Sequence, residues 1–205
     1  MRTSREPVLI PVAIDDLRPT QITVGLREVA RKRAIWNRLG EEGGRFLGQH
    51  MIPVVIGPKQ RSYVIDHHHL ARALLEEGQS EVLTTVVADL HRLKHDAFWV
   101  FLDNRGWLHP FDAAGKRCDY ADIPKRIAHL VDDPFRSLAG AVREGGGYAK
   151  ETTPFSEFIW ADYFRRRIKR ATLDKNFDAC VQRATALARD HDASFMPGWC
   201  GPVRS

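Results

Sequence analysis

The stretch YVIDHHHLARALLEEG, residues 63–78, decides how the rest of the chain is read. Tyr63-Val64-Ile65 is a short apolar run of strand-forming residues. From position 67 the spacing changes: Leu70, Ala71, Leu74 and Leu75 recur at helical intervals, and Gly78 supplies a stop. A strand therefore feeds directly into a helix expected to begin at His67, and Asp66-His67-His68-His69 form the turn between them. Three readings of that turn are open on the residues themselves. In the first, Asp66 is an ordinary N-cap and the histidines are solvated residues at a helix start. The second is a metal site. Adjacent helical residues project about 100° apart, so three successive histidines cannot converge on one ion without ligands from elsewhere. The third uses the unpaired N–H groups and the positive dipole end of a helix start, which together hold phosphate oxygens. There His67, His68 and His69 donate to phosphate and Arg72, one turn beyond His68, extends the contact. Asp66 then holds Mg²⁺ or accepts a proton from an attacking hydroxyl.

Working outward, residues 51–66 carry two apolar runs, Val54-Val55-Ile56 and Tyr63-Val64-Ile65, on either side of Gly57-Pro58, the pattern of a β-hairpin. PVLIPVAI (7–14) reads as an extended edge segment because of its prolines, and EVLTTVVADL (81–90) as a further strand. A helix is expected over 26–44, with Val29, Ile35, Trp36 and Leu39 on one face and Gly40 or Gly43 as its end. Residues 92–106 suit a buried helix, and 107–120 a hairpin or loop around Ala114-Gly115. Beyond Ile123 the pattern is helical, over 123–143, 155–170 and 174–190, with EGGGY (144–148) as a hinge. The fold class is α+β: a small mixed β-sheet with helices over 1–90, followed by a mostly helical half over 91–205 packed on that core.

Composition narrows the partners. The 205 residues are 43% hydrophobic, enough for a real core, and 31 Lys+Arg against 26 Asp+Glu leave a net charge of +5. That mild excess suits an anionic ligand and falls well short of a polybasic nucleic-acid tail. Cys118, Cys180 and Cys200 form no CxxC pair and no disulfide framework, and no run approaches 18 apolar residues, so a soluble cytoplasmic protein is expected. His91 and His95 sit four apart, but HRLKH lacks the glutamate of the zinc-protease motif. No GxSxG and no dinucleotide-type glycine loop occurs.

Three stretches in order, LRPTQITVGLREVARKR (17–33), YVIDHHHLARALLEEG (63–78) and DDPFRSLAGAVREGGGYAK (132–150), resemble the ParB-like nuclease family of the wider ParB/sulfiredoxin superfamily. The resemblance implies a small mixed sheet whose turn, commonly Asp-Gly-His-His-Arg in such proteins, binds nucleotide phosphates. Asp66 takes the acidic place, and His68 and His69 take the histidine places. His67 stands where the common turn has Gly, and Leu70 where it has Arg. The first change puts a Cβ where backbone approaches phosphate, and the second removes a bidentate clamp. Sulfiredoxin has its cysteine nucleophile at the place of His68, which argues against sulfinate chemistry here. Thr20, Gln21 and Thr23 match the first stretch and would close the site, with Glu28 the nearest acid for a base. The expectation is a protein that binds a nucleotide or other phosphorylated ligand at the Asp66–His69 turn, with Mg-dependent NTP hydrolysis or phosphoryl transfer. The alternatives are a metal-dependent DNA nuclease and a non-enzymatic DNA-binding module, since a family label does not establish chemistry.

Overall fold

A computed structural model describes residues 9–39 and 51–202. Five strands form a mixed sheet: β1 (Leu9–Ala13), β2 (Arg18–Pro19), β4 (Ile52–Gly57), β5 (Arg61–Val64) and β6 (Glu81–Asp89), in the order β1-β6-β4-β5-β2. The β4–β5 hairpin is antiparallel, with Val55 opposite Tyr63, and β4 runs parallel to β6. Because side chains alternate across a strand, Val54 and Val64 face one side and Val55 and Tyr63 the other. On the first side lie α1 (Leu26–Leu39) and α2 (His68–Glu76), packed through Val29, Leu70, Ala71 and Leu74. On the second lies α3 (His95–Asn104), through Phe98, Trp99 and Leu102. A third core joins α4 (Pro134–Glu144), α5 (Ser156–Arg165), α6 (Arg170–Lys175) and α7 (Phe177–Arg189) around Leu138, Val142, Trp160 and Phe164. The α+β class and the mixed sheet are as expected.

Several boundaries differ for identifiable reasons. The expected helix over 123–143 is replaced by a 3₁₀ turn at Ile127–His129, a short strand β7 (Val131–Asp132) and then α4. Proline sets that break: Pro134 lacks an N–H and fits only the first turn of a helix. β7 pairs in parallel with β3 (Thr23–Val24) as a second, two-stranded sheet. The expected end of α1 at Gly40 or Gly43 lies outside the described residues. The 174–190 helix is divided at Asn176, whose side chain accepts from Ala179 N–H and starts α7 afresh. The glycine run 145–147 is no free hinge at its far end: Tyr148 is buried, stacks on Trp160 and donates to the Ala139 carbonyl (2.9 Å).

The neighbouring carboxylates of Asp132 and Asp133 serve two different helices. Asp132 accepts from Leu26 N–H (2.8 Å) at the start of α1, and Asp133 caps α4 by accepting from Phe135 N–H (2.9 Å). They bring α1 and α4 together at Gly25, where an added Cβ would lie 2.7 Å from Ser137 Oγ and 2.8 Å from Ser137 N. Backbone on α4 cannot move aside as a flexible side chain would. Gly25→Ala is therefore expected to destabilise the protein by about 1–3 kcal/mol, measured by denaturant unfolding; an unchanged midpoint would show that α1 and α4 are not locked together here.

Candidate functional site

The turn that decides the fold is also where the described residues open a cleft. α2 begins at His68, one residue later than expected. His67 is the N-cap, held in the left-handed region (φ 66°, ψ 25°), and no side chain caps the helix. Asp66 does not act as the cap: its Oδ1 accepts from the adjacent His67 N–H (2.6 Å), and its side chain is 76% exposed. The left-handed backbone at 67 is the conformation glycine adopts without strain, so the chain keeps the turn's shape while carrying an imidazole there.

His68 and His69 point inward. His68 is 3% exposed, and its Nε2 accepts from Thr20 N–H at 3.1 Å. His69 is 7% exposed, and its Nε2 accepts from Gly25 N–H at 2.9 Å. A ring nitrogen that accepts is unprotonated, so both rings are neutral with the proton on Nδ1; the His68 ring in turn donates to the Val64 backbone carbonyl. Burial pushes both from the usual 6.5 to about 3, and for His69 the charge of Arg136 acts in the same direction. These two histidines thus tie the β2–β3 segment and the start of α1 to the start of α2.

Beside His69 lies a chain of charge that links three helices. Arg136, on the first turns of α4 and 6% exposed, donates to Glu28 Oε2 (3.0 Å) and approaches Glu157 Oε2 on α5 at 3.7 Å. Its Nε has no partner among the described residues, and its guanidinium lies over the Phe158 ring at 5.3 Å. Glu28 also faces Lys32 (3.8 Å) and His69 (3.7 Å), while Arg143 pairs with Glu157. Burial opposes charge on Glu28, but His69, Arg136 and Lys32 outweigh it and draw the carboxyl from 4.5 down to about 2. With His69 neutral, the arginine and lysine carry that effect at ordinary pH.

Two chambers open on this arrangement. The larger, about 430 Å³, is walled by Trp107, Phe155, Phe158 and Pro154, with Gln21, Asp66, His68, His69, Arg136 and Lys150 at its polar end. The smaller, about 220 Å³, lies between α1, α2 and α4 and shares Asp66, His69, Arg136, Lys150 and Glu157 with the first. A second helix start also opens on the larger chamber: Phe155, the N-cap of α5, is left-handed (φ 58°) and has no side-chain cap.

The structure brings Asp66, His67, His68, His69, Gln21 and Glu28 to these two chambers. Thr20 and Thr23 are buried behind them. Thr20 Oγ1 donates to the Val64 carbonyl (2.7 Å), and Thr23 Oγ1 has no partner among the described residues. Arg72 faces away. Its guanidinium donates to the carbonyls of Ala128 (2.7 Å) and Leu130 (3.2 Å) and pairs with Glu76. Leu70, standing in the arginine place of the common turn, is buried in the α1–α2 core. The sequence reading missed Arg136, Lys150 and Trp107. Arg136 had a signal, a cation one turn inside an Asp-Pro helix start, but its pairing with Glu28 crosses 108 positions.

The fold and the cleft define an α+β protein with a small mixed sheet and a polar turn leading into an uncapped helix. The sequence profile of the family described as "Putative ParB-like nuclease" matches residues 10–166, and the chain belongs to that family. The crystal structure of protein Atu1540 from Agrobacterium tumefaciens is similar throughout, with 54% identity and a TM-score of 0.90. The alignment covers 97% of this chain and 100% of that one. No curated protein matches. None of the described helices is long and apolar enough to cross a membrane.

The buried histidines make stability depend on pH. Each ring is neutral when folded and protonates near 6.5 once unfolded, so its contribution is complete above 6.5, falls with pH below it, and is exhausted near 3. Each should add a slope of about 1.4 kcal/mol per pH unit inside that window. Unfolding free energies measured from about pH 6 to about pH 5 should show a shallower slope for His68→Asn than for the wild type; equal slopes would mean that His68 is charged in the folded protein.

Proposed function

We propose that the cleft binds a nucleotide or another phosphorylated ligand at the Asp66–His69 turn, and that Mg²⁺-dependent hydrolysis or phosphoryl transfer takes place there. The observation that carries this reading is the start of α2 at His68, which has no side-chain cap, on a chamber that also holds Arg136 and Lys150. The start of α5 contributes less, since its Ser156 and Phe158 N–H groups donate to the Thr153 and Phe155 carbonyls. Unpaired N–H groups at a helix N-terminus and an adjacent guanidinium are the donors phosphate oxygens seek. Among the described residues Lys150 has no ionic or hydrogen-bond partner, so its ammonium is available to a ligand. The aromatic wall of Trp107 and Phe155 suits a flat ring at the other end of the same ligand.

The roles of individual residues follow from their environments. His68 and His69 spend their Nε2 atoms on backbone N–H groups, so they shape the helix start, and phosphate is taken by the backbone donors they position. Glu28, drawn down to about 2 and paired with Arg136, is a poor base at neutral pH and orients the guanidinium instead. Asp66 is the exposed carboxylate at the junction of the chambers and the residue assigned to a metal or to a proton-accepting role. No group of three metal-ligating side chains lies among the described residues. The donor present is the single exposed Asp66 carboxylate, and Mg²⁺ is an ion that keeps water and ligand phosphates around one or two carboxylates. Bound there, the ion would neutralise phosphate charge, while Asp66 holds it and the helix starts orient the phosphates.

Calorimetric titration with ATP, ADP, CTP and GTP, with and without Mg²⁺, should give saturable binding by at least one of them. Lys150→Ala should weaken it by about tenfold, the loss of one charge-assisted contact. Asp66→Asn should keep the fold and the Tm but abolish turnover. Failure of every nucleotide to bind would overturn the reading, and salt-sensitive DNA binding or metal-dependent DNA cleavage in its place would favour the DNA-centred alternatives.

A further inference from the structure

The smaller chamber has a different character from the larger one. Its walls are charged on every side: Lys32 from α1, Arg136 and Arg143 from α4, and Lys150 contribute four cations, against Glu28, Glu157 and Asp66. The acids do not satisfy those cations equally. Glu28 is committed to Arg136 at 3.0 Å, leaving Lys32 a looser contact at 3.8 Å; Glu157 is committed to Arg143. Lys150 has no partner among the described residues, and Arg136, nine-tenths buried, has an unpartnered Nε. Cations from separate segments are therefore held close together with incomplete compensation. Burial, opposed by Glu28, pulls the Lys32 ammonium below its usual pKa, and Arg31, Arg143 and Arg136 pull the same way. Like charges gathered in this manner repel one another until an anion enters between them.

The position of the chamber matters as much as its charge. It adjoins the larger chamber along Asp66, His69, Arg136, Lys150 and Glu157, so the exposed Asp66 carboxylate borders both. At about 220 Å³ it is half the size of its neighbour and has no aromatic wall, so it suits a compact polar molecule better than a nucleoside. Building on the reading above, we propose that the smaller chamber is a separate site for a small co-substrate bearing an oxyanion, phosphate or carboxylate, gripped by Lys32 with Arg143 and Arg136. Two ligands then meet across Asp66: the phosphorylated ligand in the larger chamber and the anionic co-substrate in the smaller.

The test uses inorganic phosphate as the probe on the full chain, by calorimetry and by following Lys32 with an amine-acylating reagent and mass spectrometry. Phosphate should bind saturably, slow acylation of Lys32, and bind at least tenfold more weakly to Lys32→Gln, whose Tm serves as the check on folding. Adding a saturating nucleotide should leave phosphate binding saturable, weakened at most severalfold by the shared Arg136 and the neighbouring charge. Competition between the two would overturn the proposal, because the nucleotide's own phosphates would then occupy the chamber. Equal phosphate affinity in wild type and Lys32→Gln, or no phosphate binding, would overturn it as well. Phosphate binding that requires Lys32 in a protein that binds no nucleotide would uphold the oxyanion site while rejecting the nucleotide reading, so the two fail separately.

Discussion

The structure depends on two imidazoles kept neutral so that they can accept hydrogen bonds from backbone. His68 and His69 are buried at the start of α2, and each takes the N–H of a residue about 44 to 48 positions earlier. A charged imidazole has only donors to offer and would set N–H against N–H at Thr20 and Gly25. Neutrality is thus a condition of the fold near the cleft. The backbone beside the cleft is held in place by side chains whose Nε2 atoms are taken by that backbone.

A second constraint crosses the first at His69. The Glu28–Arg136–Glu157 chain joins α1, α4 and α5, and its central guanidinium is almost wholly buried. Removing Glu28 would leave the buried guanidinium only the longer contact to Glu157, which costs more than losing an exposed ion pair. The neighbouring Asp132 and Asp133 caps and the close approach at Gly25 fix the same helices by independent contacts. The two chambers are the space left where these three sets of contacts meet.

Much of the fold was legible in the chain. Apolar period and turn residues placed the β4–β5 hairpin, β6 and the helix after His67, because those signals are local. The helix expected over 123–143 failed because apolar period outweighed Pro134 in that reading, and β7 forms only through its partner β3. The turn was read as the candidate site with its histidines facing a ligand, whereas His68 and His69 turn their Nε2 atoms to backbone N–H groups. Whether a histidine faces a ligand or a backbone N–H is decided by contacts 44 or more positions away, which no local pattern carries. Arg72 shows the same limit: its spacing fitted a phosphate contact, but its guanidinium is taken by carbonyls of residues 128 and 130. His67 is the converse, since it adopts the left-handed backbone that glycine takes most readily.

The most direct test is a long-range ¹H–¹⁵N NMR spectrum of the histidine rings across a pH titration. His68 and His69 should both appear as the tautomer protonated on Nδ1, with Nε2 unprotonated, and should not titrate between about pH 8 and about pH 5. Ring signals that titrate near 6.5, or an Nε2-protonated tautomer for either residue, would contradict the account, because neither form can accept the backbone N–H groups on which the cleft is built.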